Sequence, residues 1–307
     1  MPLSALIVVA ALAAPAPWAV TETHHGPGWA FTPSFSADGE TAWFVHWADP
    51  LNLDAPQRLY ETQRTREGWS PPQEIPVAPG ALLDWPAPGR TPGEVLLTVA
   101  RTSAINGARV YDFDLFAFDI SAPAGSLAPL ASPDLNRSKT ARTATLGVAA
   151  NEFGPWLSGD GTLWFWSQRP EASGWRDIFF APPDPDGDAW LEPREFPLNT
   201  AGRDSHPWVS PDGSVIVFTS DRPGGHGGDD LWMSARTADG AWGDPVNLGP
   251  AINSSFDDEA ARLTPDGRTL FFTSNRPMAD RTERYEGSPP YRVYSTATPQ
   301  AVLDALP

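Results

Sequence analysis

The stretch HPWVSPDGSVIVFTSDRP, residues 206–223, carries most of the features on which the fold is read. A short segment ends at Ser210-Pro211-Asp212-Gly213, an apolar run Val215-Ile216-Val217-Phe218 follows, and Ser220-Asp221-Arg222-Pro223 closes the unit. The Asp-Gly pair tolerates the positive φ that a hairpin turn needs. The apolar run reads as a strand buried on both faces. The same order recurs at Thr264-Pro265-Asp266-Gly267, Leu270-Phe271-Phe272 and Ser274-Asn275-Arg276-Pro277, and again at Ser158-Gly159-Asp160-Gly161, Leu163-Trp164-Phe165-Trp166 and Ser167-Gln168-Arg169-Pro170. Two less regular copies precede these, one at Pro33 to Val45 and one in which Thr91-Pro92-Gly93 leads into Val95 to Val99. The turn glycines at 39, 93, 161, 213 and 267 set a period of ~53 residues with one longer interval, and such a period outranks any single motif as evidence about the fold.

Each unit resolves into four short strands. The third is Asp177-Ile178-Phe179-Phe180, Asp230-Leu231-Trp232-Met233 or Tyr291-Arg292-Val293-Tyr294, and the fourth follows a turn and a Trp, as at Asp239-Gly240-Ala241-Trp242. Four-stranded antiparallel units that cover one another's faces are the blades of an all-β β-propeller, and five are countable. The excess length falls in 121–150, expected to be a surface insertion. Blade five lacks a last strand; the segment before Phe31 or residues 301–306 could supply it. Thr298-Pro299-Gln300 has the composition of a helix start, which favours the N-terminal segment.

These motifs resemble the WD40-like β-propeller repeat (PD40) family, found in the propeller of TolB-like periplasmic proteins, over Pro33 to about Thr298. The resemblance implies a radially repeated propeller in a cell-envelope or secreted bacterial protein, most often a binding module. Six blades are the alternative count, since TolB-like propellers usually have six. The family spans binding proteins, peptidase-attached propellers and a few lyases, so the fold alone names no activity.

Among 307 residues, 14 Trp and 15 Phe supply a large core, while 35 Pro and 26 Gly disfavour long helices. A formal charge of -17 repels nucleic acid and anionic lipid, which sets both aside as partners. The absence of Cys removes disulfides and thiolate chemistry. The apolar run Leu3 to Ala14 is too short to span a membrane and is followed by small residues and Pro, so residues 1–16 read as a signal peptide and 17–307 as one propeller domain, with no transmembrane segment in the mature chain. His24-His25 then falls in a tail near the mature N-terminus.

Strand order places the starts of first strands and the loops after second strands on one face of the disc. That face collects Glu152, Asp204, His206, Asp258, Glu259, Arg169, Asp221, Arg222, His226, Asp229, Asp230 and Arg276. An acid (Glu152, Asp204, Asp258) and an Arg (Arg169, Arg222, Arg276) that recur in each regular blade read as structural ion pairs, because repeated modules need repeated contacts. Functional residues should break the repeat, as His46, Trp47, Asp49, Arg101, His206 and His226 do. The loop Gly224-Gly225-His226-Gly227-Gly228-Asp229 is either a backbone approach to a ligand or a flexible connection. Asp184, Asp186, Asp188 and Glu195 imitate a Ca²⁺ loop, but Ala189 stands where the sharp turn wants Gly, so a hairpin turn is the first reading and no cofactor is expected.

The sequence therefore points to a monomeric, periplasmic or secreted, non-catalytic binding or scaffold propeller whose ligand is a protein, peptide or glycan. Asp204, His206, Asp221, Arg222, His226, Asp229, Arg169, Arg276 and Glu259 are its candidate contacts. A propeller glycan hydrolase or lyase is the alternative.

Overall fold

A computed structural model describes residues 13–24, 28–49, 52, 55, 57–77, 81–105, 107–122, 126–136, 151–169, 174–277 and 290–307. Residues 1–12, which hold most of the expected signal peptide, lie outside the described residues, as do His25, Pro170 and 137–150. Five antiparallel sheets stand in a ring, the arrangement of a five-bladed propeller.

Blade one pairs Ser34–Phe35 with Thr41–Trp47, then Gln57–Thr65 and Gln73–Ile75. Blade two runs Leu82–Pro88, Glu94–Ile105, Ala108–Asp119 and Ala128–Pro129. Its outer strand corrects one expectation: the first part of the supposed insertion 121–150 is the fourth strand of the blade. Blade three runs Glu152–Leu157, Leu163–Ser167, Asp177–Ala181 and Arg194–Glu195, and blade four runs Asp204–Val209, Val215–Ser220, Asp230–Ala235 and Val246–Asn247. Blade five is Asp258–Leu263, Thr269–Ser274 and Arg292–Ala297, completed by Ala16–Pro17. The chain start thus closes the ring, and Gln300–Ala305 is a helix, as its Thr-Pro-Gln start suggests. His24 ends a short helix, Ala19–His24, in place of a tail.

The second strands read as continuous apolar runs because both faces meet a neighbouring blade. Val215–Ser220 is buried along its whole length, and Phe44, Phe165, Phe218 and Phe272 are buried in the same layer. Each Asp-Gly turn locks itself: Ser158, Ser210 and Thr264 donate to Asp160, Asp212 and Asp266 two residues on.

The innermost strand of blades two to five breaks register at one place, between Asp84 and Ala87, Phe153 and Trp156, Ser205 and Trp208, and Glu259 and Arg262. The residue after each break point has positive φ: Trp85 +48°, Gly154 +60°, His206 +51° and Ala260 +58°. A left-handed non-glycine residue costs roughly 1–3 kcal/mol, so something must hold it. The strain is offset by an inter-blade clip, in which a second-strand Thr accepts the backbone N–H that the bulge strands. Thr98 takes Gly154 N–H at 3.0 Å, Thr219 takes Ala260 N–H at 3.0 Å, and Thr273 takes Thr32 N–H of blade one at 2.9 Å.

Candidate functional site

The repeated charges form a framework. Arg169, Arg222 and Arg276 sit 3.1, 2.7 and 2.5 Å from Glu152 Oε1, Asp204 Oδ1 and Asp258 Oδ1. The same guanidinium Nη2 donates to a backbone carbonyl of the preceding connection, at Asp134, Leu198 and Ile252. Thr200 and Ser254 occupy the other oxygen of Asp204 and Asp258 at 2.7 and 2.8 Å. Arg101, by contrast, pairs with Asp114 on its own blade's third strand. Each ion pair lies within its own blade, and the bonds from the Arg to the preceding connection tie that blade to its neighbour.

The glycine-rich loop is held against the protein. Asp230 draws it inward by accepting from the backbone N–H of His226 and of Gly227. A side chain at Gly225 would meet that carboxylate, and one at Gly227 would strike the Phe256 carbonyl. Here the glycines permit close approach of the loop to its own protein. The His226 side chain is left exposed, whereas His206 is 2% exposed. Asp184, Asp186 and Asp188 lie in the hairpin closed by Asp184 N–H to Ala189 C=O, with Glu195 in the following strand opposite Phe179. No group of three metal-ligating side chains occurs among the described residues.

What converges on the axis is the set of residues at the inner-strand bulge. Asp84, Phe153, Ser205 and Glu259 occupy the position before the left-handed residue in blades two to five, and Phe31 stands at the corresponding place in blade one, before the clipped Thr32. Only two are acids. Burial raises Glu259 to about 8, helped by repulsion from Asp229, Asp257 and Asp84, and Arg176 opposes the rise. Burial likewise raises Asp84 to about 8. Blades two and five flank blade one, so repulsion between these two acids acts across the channel. Asp84 accepts only the N–H of Trp85, at 2.9 Å, and keeps partial solvent access. Among the described residues no donor makes a hydrogen bond to the Glu259 carboxyl, and His206 Nδ1 stands 3.9 Å away. That contact is not an ion pair, because burial first, then the charges of Arg176 and Arg262, hold His206 well below its usual pKa and leave the ring neutral. His206 Nδ1 is 3.0 Å from Ser205 Oγ, and its Nε2 has no partner.

Around these acids stand groups that vary from blade to blade. Asp229 Oδ1 is 2.9 Å from Arg203 Nη2, and burial raises its pKa against that pull. Arg203 is held in turn by Asp221, which accepts its backbone N–H at 2.7 Å. Tyr291 donates to Asp257 Oδ2 at 2.9 Å, and burial with the neighbouring carboxylates pushes its phenol well up. Aromatic rings wall the site: Trp85 lies 4.3 Å and Trp166 5.2 Å from the His206 ring, while Trp29 meets Tyr291 at 4.9 Å and Trp47 at 6.0 Å. The indole N–H groups of Trp47 and Trp166 have no acceptor.

Of the residues expected from sequence, His206, Asp229 and Glu259 are brought together, and Asp221 supports them through Arg203. Asp204, Arg169, Arg222 and Arg276 belong to the framework, and the His226 ring lies out in solvent. Sequence reasoning missed Asp84, Arg176, Arg203, Asp257, Tyr291 and, apart from Trp47, the Trp wall. A signal existed: Asp84-Trp85-Pro86 aligns with Ser205-His206-Pro207.

No protein-family model matches the chain, and no curated protein matches it in sequence. Solved structures do match. The catalytic domain of a Coprinopsis cinerea GH62 α-L-arabinofuranosidase has TM-score 0.56 at 12% identity, covering 93% of this chain and 96% of that one. A thermostable family-43 glycoside hydrolase has TM-score 0.53 at 12% identity, covering 89% and 90%. TolB from Acinetobacter baumannii has TM-score 0.51 at 13% identity over 88% of this chain, which spans about half (54%) of that protein. At these identities the likeness is one of fold: the chain is a β-propeller similar in architecture to TolB and to propeller glycoside hydrolases.

Proposed function

We propose that this protein is a periplasmic or secreted propeller that binds a glycan at the axial carboxylate cluster. One observation carries the reading. Asp84 and Glu259 occupy equivalent bulge positions in different blades, lie at the axis, and have carboxyl oxygens that accept from no side chain among the described residues. A buried polar group without a partner costs free energy unless a ligand completes it. Sugars present hydroxyls to carboxyls and apolar C–H faces to aromatic rings, which are the two surfaces this site offers. His206 is neutral, and the carboxyls of Asp84 and Glu259, protonated at neutral pH, can donate as well as accept hydrogen bonds.

A second reading, glycan hydrolysis, draws on Glu259 and the acids beside it. Glycoside hydrolysis uses a pair of carboxyls, one of them a proton donor with raised pKa, and Glu259 near 8 is protonated at neutral pH. In that reading Glu259 is the acid and Asp229 or Asp257 the base. The fold neighbours named as family-43 and GH62 hydrolases make this reaction class the one to assay.

A neutral and acidic glycan array, followed by chromatography of each bound glycan after overnight incubation, tests both. Binding of neutral glycans with no new products supports the binding reading; shortened products lost in Glu259→Gln establish hydrolysis. If the array stays blank, the glycan reading is wrong.

A further inference from the structure

Blade three departs from its siblings at two places beside the axial cluster. In blades two, four and five the second-strand residue opposite the bulge is Thr98, Thr219 and Thr273, the three that clip a neighbouring blade; in blade three it is Trp166. The clip gives way to a ring that lies 5.2 Å from His206 and whose indole N–H has no acceptor.

The second place is the residue before the third strand. Arg176, Asp229 and Tyr291 stand there in blades three, four and five. Each gives its C=O to the start of the next blade, accepting from Asp204 N–H at 2.7 Å, Asp258 N–H at 2.7 Å and Ala30 N–H at 3.3 Å. The side chains of Asp229 and Tyr291 have partners in Arg203 and Asp257. That of Arg176 makes no hydrogen bond or ion pair among the described residues, and its Nε is buried without an acceptor. Its charge nonetheless acts on Glu259, Asp229 and His206, so it faces the axial site.

From Arg176 the aromatic wall continues outward. Its Cζ lies 5.2 Å from the centre of the Trp166 ring on one side and 5.3 Å from that of Trp175 on the other. Trp175 is 61% exposed, the one exposed aromatic ring among the described residues. Its backbone is held, because its N–H donates to Gly202 C=O at 2.9 Å. Single exposed apolar side chains are ordinary on protein surfaces. What sets this one apart is its place, one unpaired guanidinium away from the rings of the axial site.

We propose that Trp175 and Arg176 form an outer sugar subsite, and that the ligand is an oligosaccharide leaving the axis over blade three. The inference rests on the glycan reading of the axial cluster. The sugar next to the axial one lays its apolar C–H face on the Trp175 ring. Arg176 donates to its hydroxyl oxygens, a task for which a guanidinium carries five N–H groups in one plane.

The probes are glucose, xylose, galactose and mannose, each with its two-, three- and four-sugar homologues, titrated into the full chain by calorimetry. In a series that binds, affinity should rise about tenfold once the second or third sugar is present, the order of one stacked ring, and then level off. Trp175→Ala should flatten that rise at an unchanged melting temperature, since the ring is exposed and the backbone bond to Gly202 remains. Arg176→Met, which keeps the stem beside Trp166 and removes the donors, should flatten it as well. Glu259→Gln should weaken every length. Affinity independent of length in the parent, or a rise that survives Trp175→Ala, would overturn the outer subsite and leave the axial reading standing. No binding at any length in any series would overturn both.

Discussion

Asp84 and Glu259 make the strongest demands at the residue scale, because each holds a carboxyl in a setting that disfavours its charge. In the folded protein both keep a proton up to about 8, whereas in the unfolded chain they release it near the ordinary 3.8 and 4.5. Between those values the native state binds more protons, so stability is greatest below about 4 and drains as pH rises through 8. Thermal melts from pH 5 to 9 should show this decline, and the double variant Asp84→Asn, Glu259→Gln should flatten it. At pH 8 each single amide should melt higher by roughly 2–4 °C. A melting temperature that climbs with pH, or amides that destabilise, would show these acids to be ionised and held by partners. His206 is a different case: it looks like a functional histidine in sequence, but it is buried and neutral, and its backbone serves the bulge. Replacing it tests packing as much as binding.

Among the elements, the bulged inner strand and its clips decide what sequence could reveal. The Asp-Gly turns, the apolar second strands and the repeated acid and Arg were legible because they recur at fixed spacing and each does one job in every blade. The bulge was not, since nothing in the local sequence marks positive φ at Trp85, His206 or Ala260, and at Ala260 the partner that takes the freed N–H is Thr219 of the neighbouring blade. Without it, the period-two pattern assigns those side chains to the wrong face, which is why Asp84 escaped notice. Two predictions belong here. Thr219→Val leaves the Ala260 N–H without an acceptor and should cost about 1–3 kcal/mol in urea denaturation. Arg222→Ala strips the fully buried Asp204 of its cation and should cost about 3–5 kcal/mol. Neither should alter ligand binding in the protein that remains folded; a variant that stays stable yet loses binding would move Arg222 from framework to site.

The whole molecule is a ring held shut at one seam. Ala16–Pro17 pairs with the third strand of blade five, and Trp18 packs on Phe44 of blade one and Phe271 of blade five, each at 5.5 Å. Composition and period indicated a propeller and the five-blade count, and the helix-like C-terminus indicated which end closes it; the two faces of the disc could be told apart only with the ring in hand. Trp18→Ala removes the wedge at the seam and should cost about 3–5 kcal/mol, with hydrogen exchange rising first in blades one and five. Uniform exchange around the ring would mean that another contact closes it. The central claim, that Asp84 and Glu259 are kept at the axis to meet a glycan, is met most directly by titration calorimetry of the best-binding neutral oligosaccharide against the parent, Asp84→Asn and Glu259→Gln. The account predicts at least a tenfold loss of affinity in each variant at an undiminished melting temperature. Affinities equal to the parent's in both variants would contradict it.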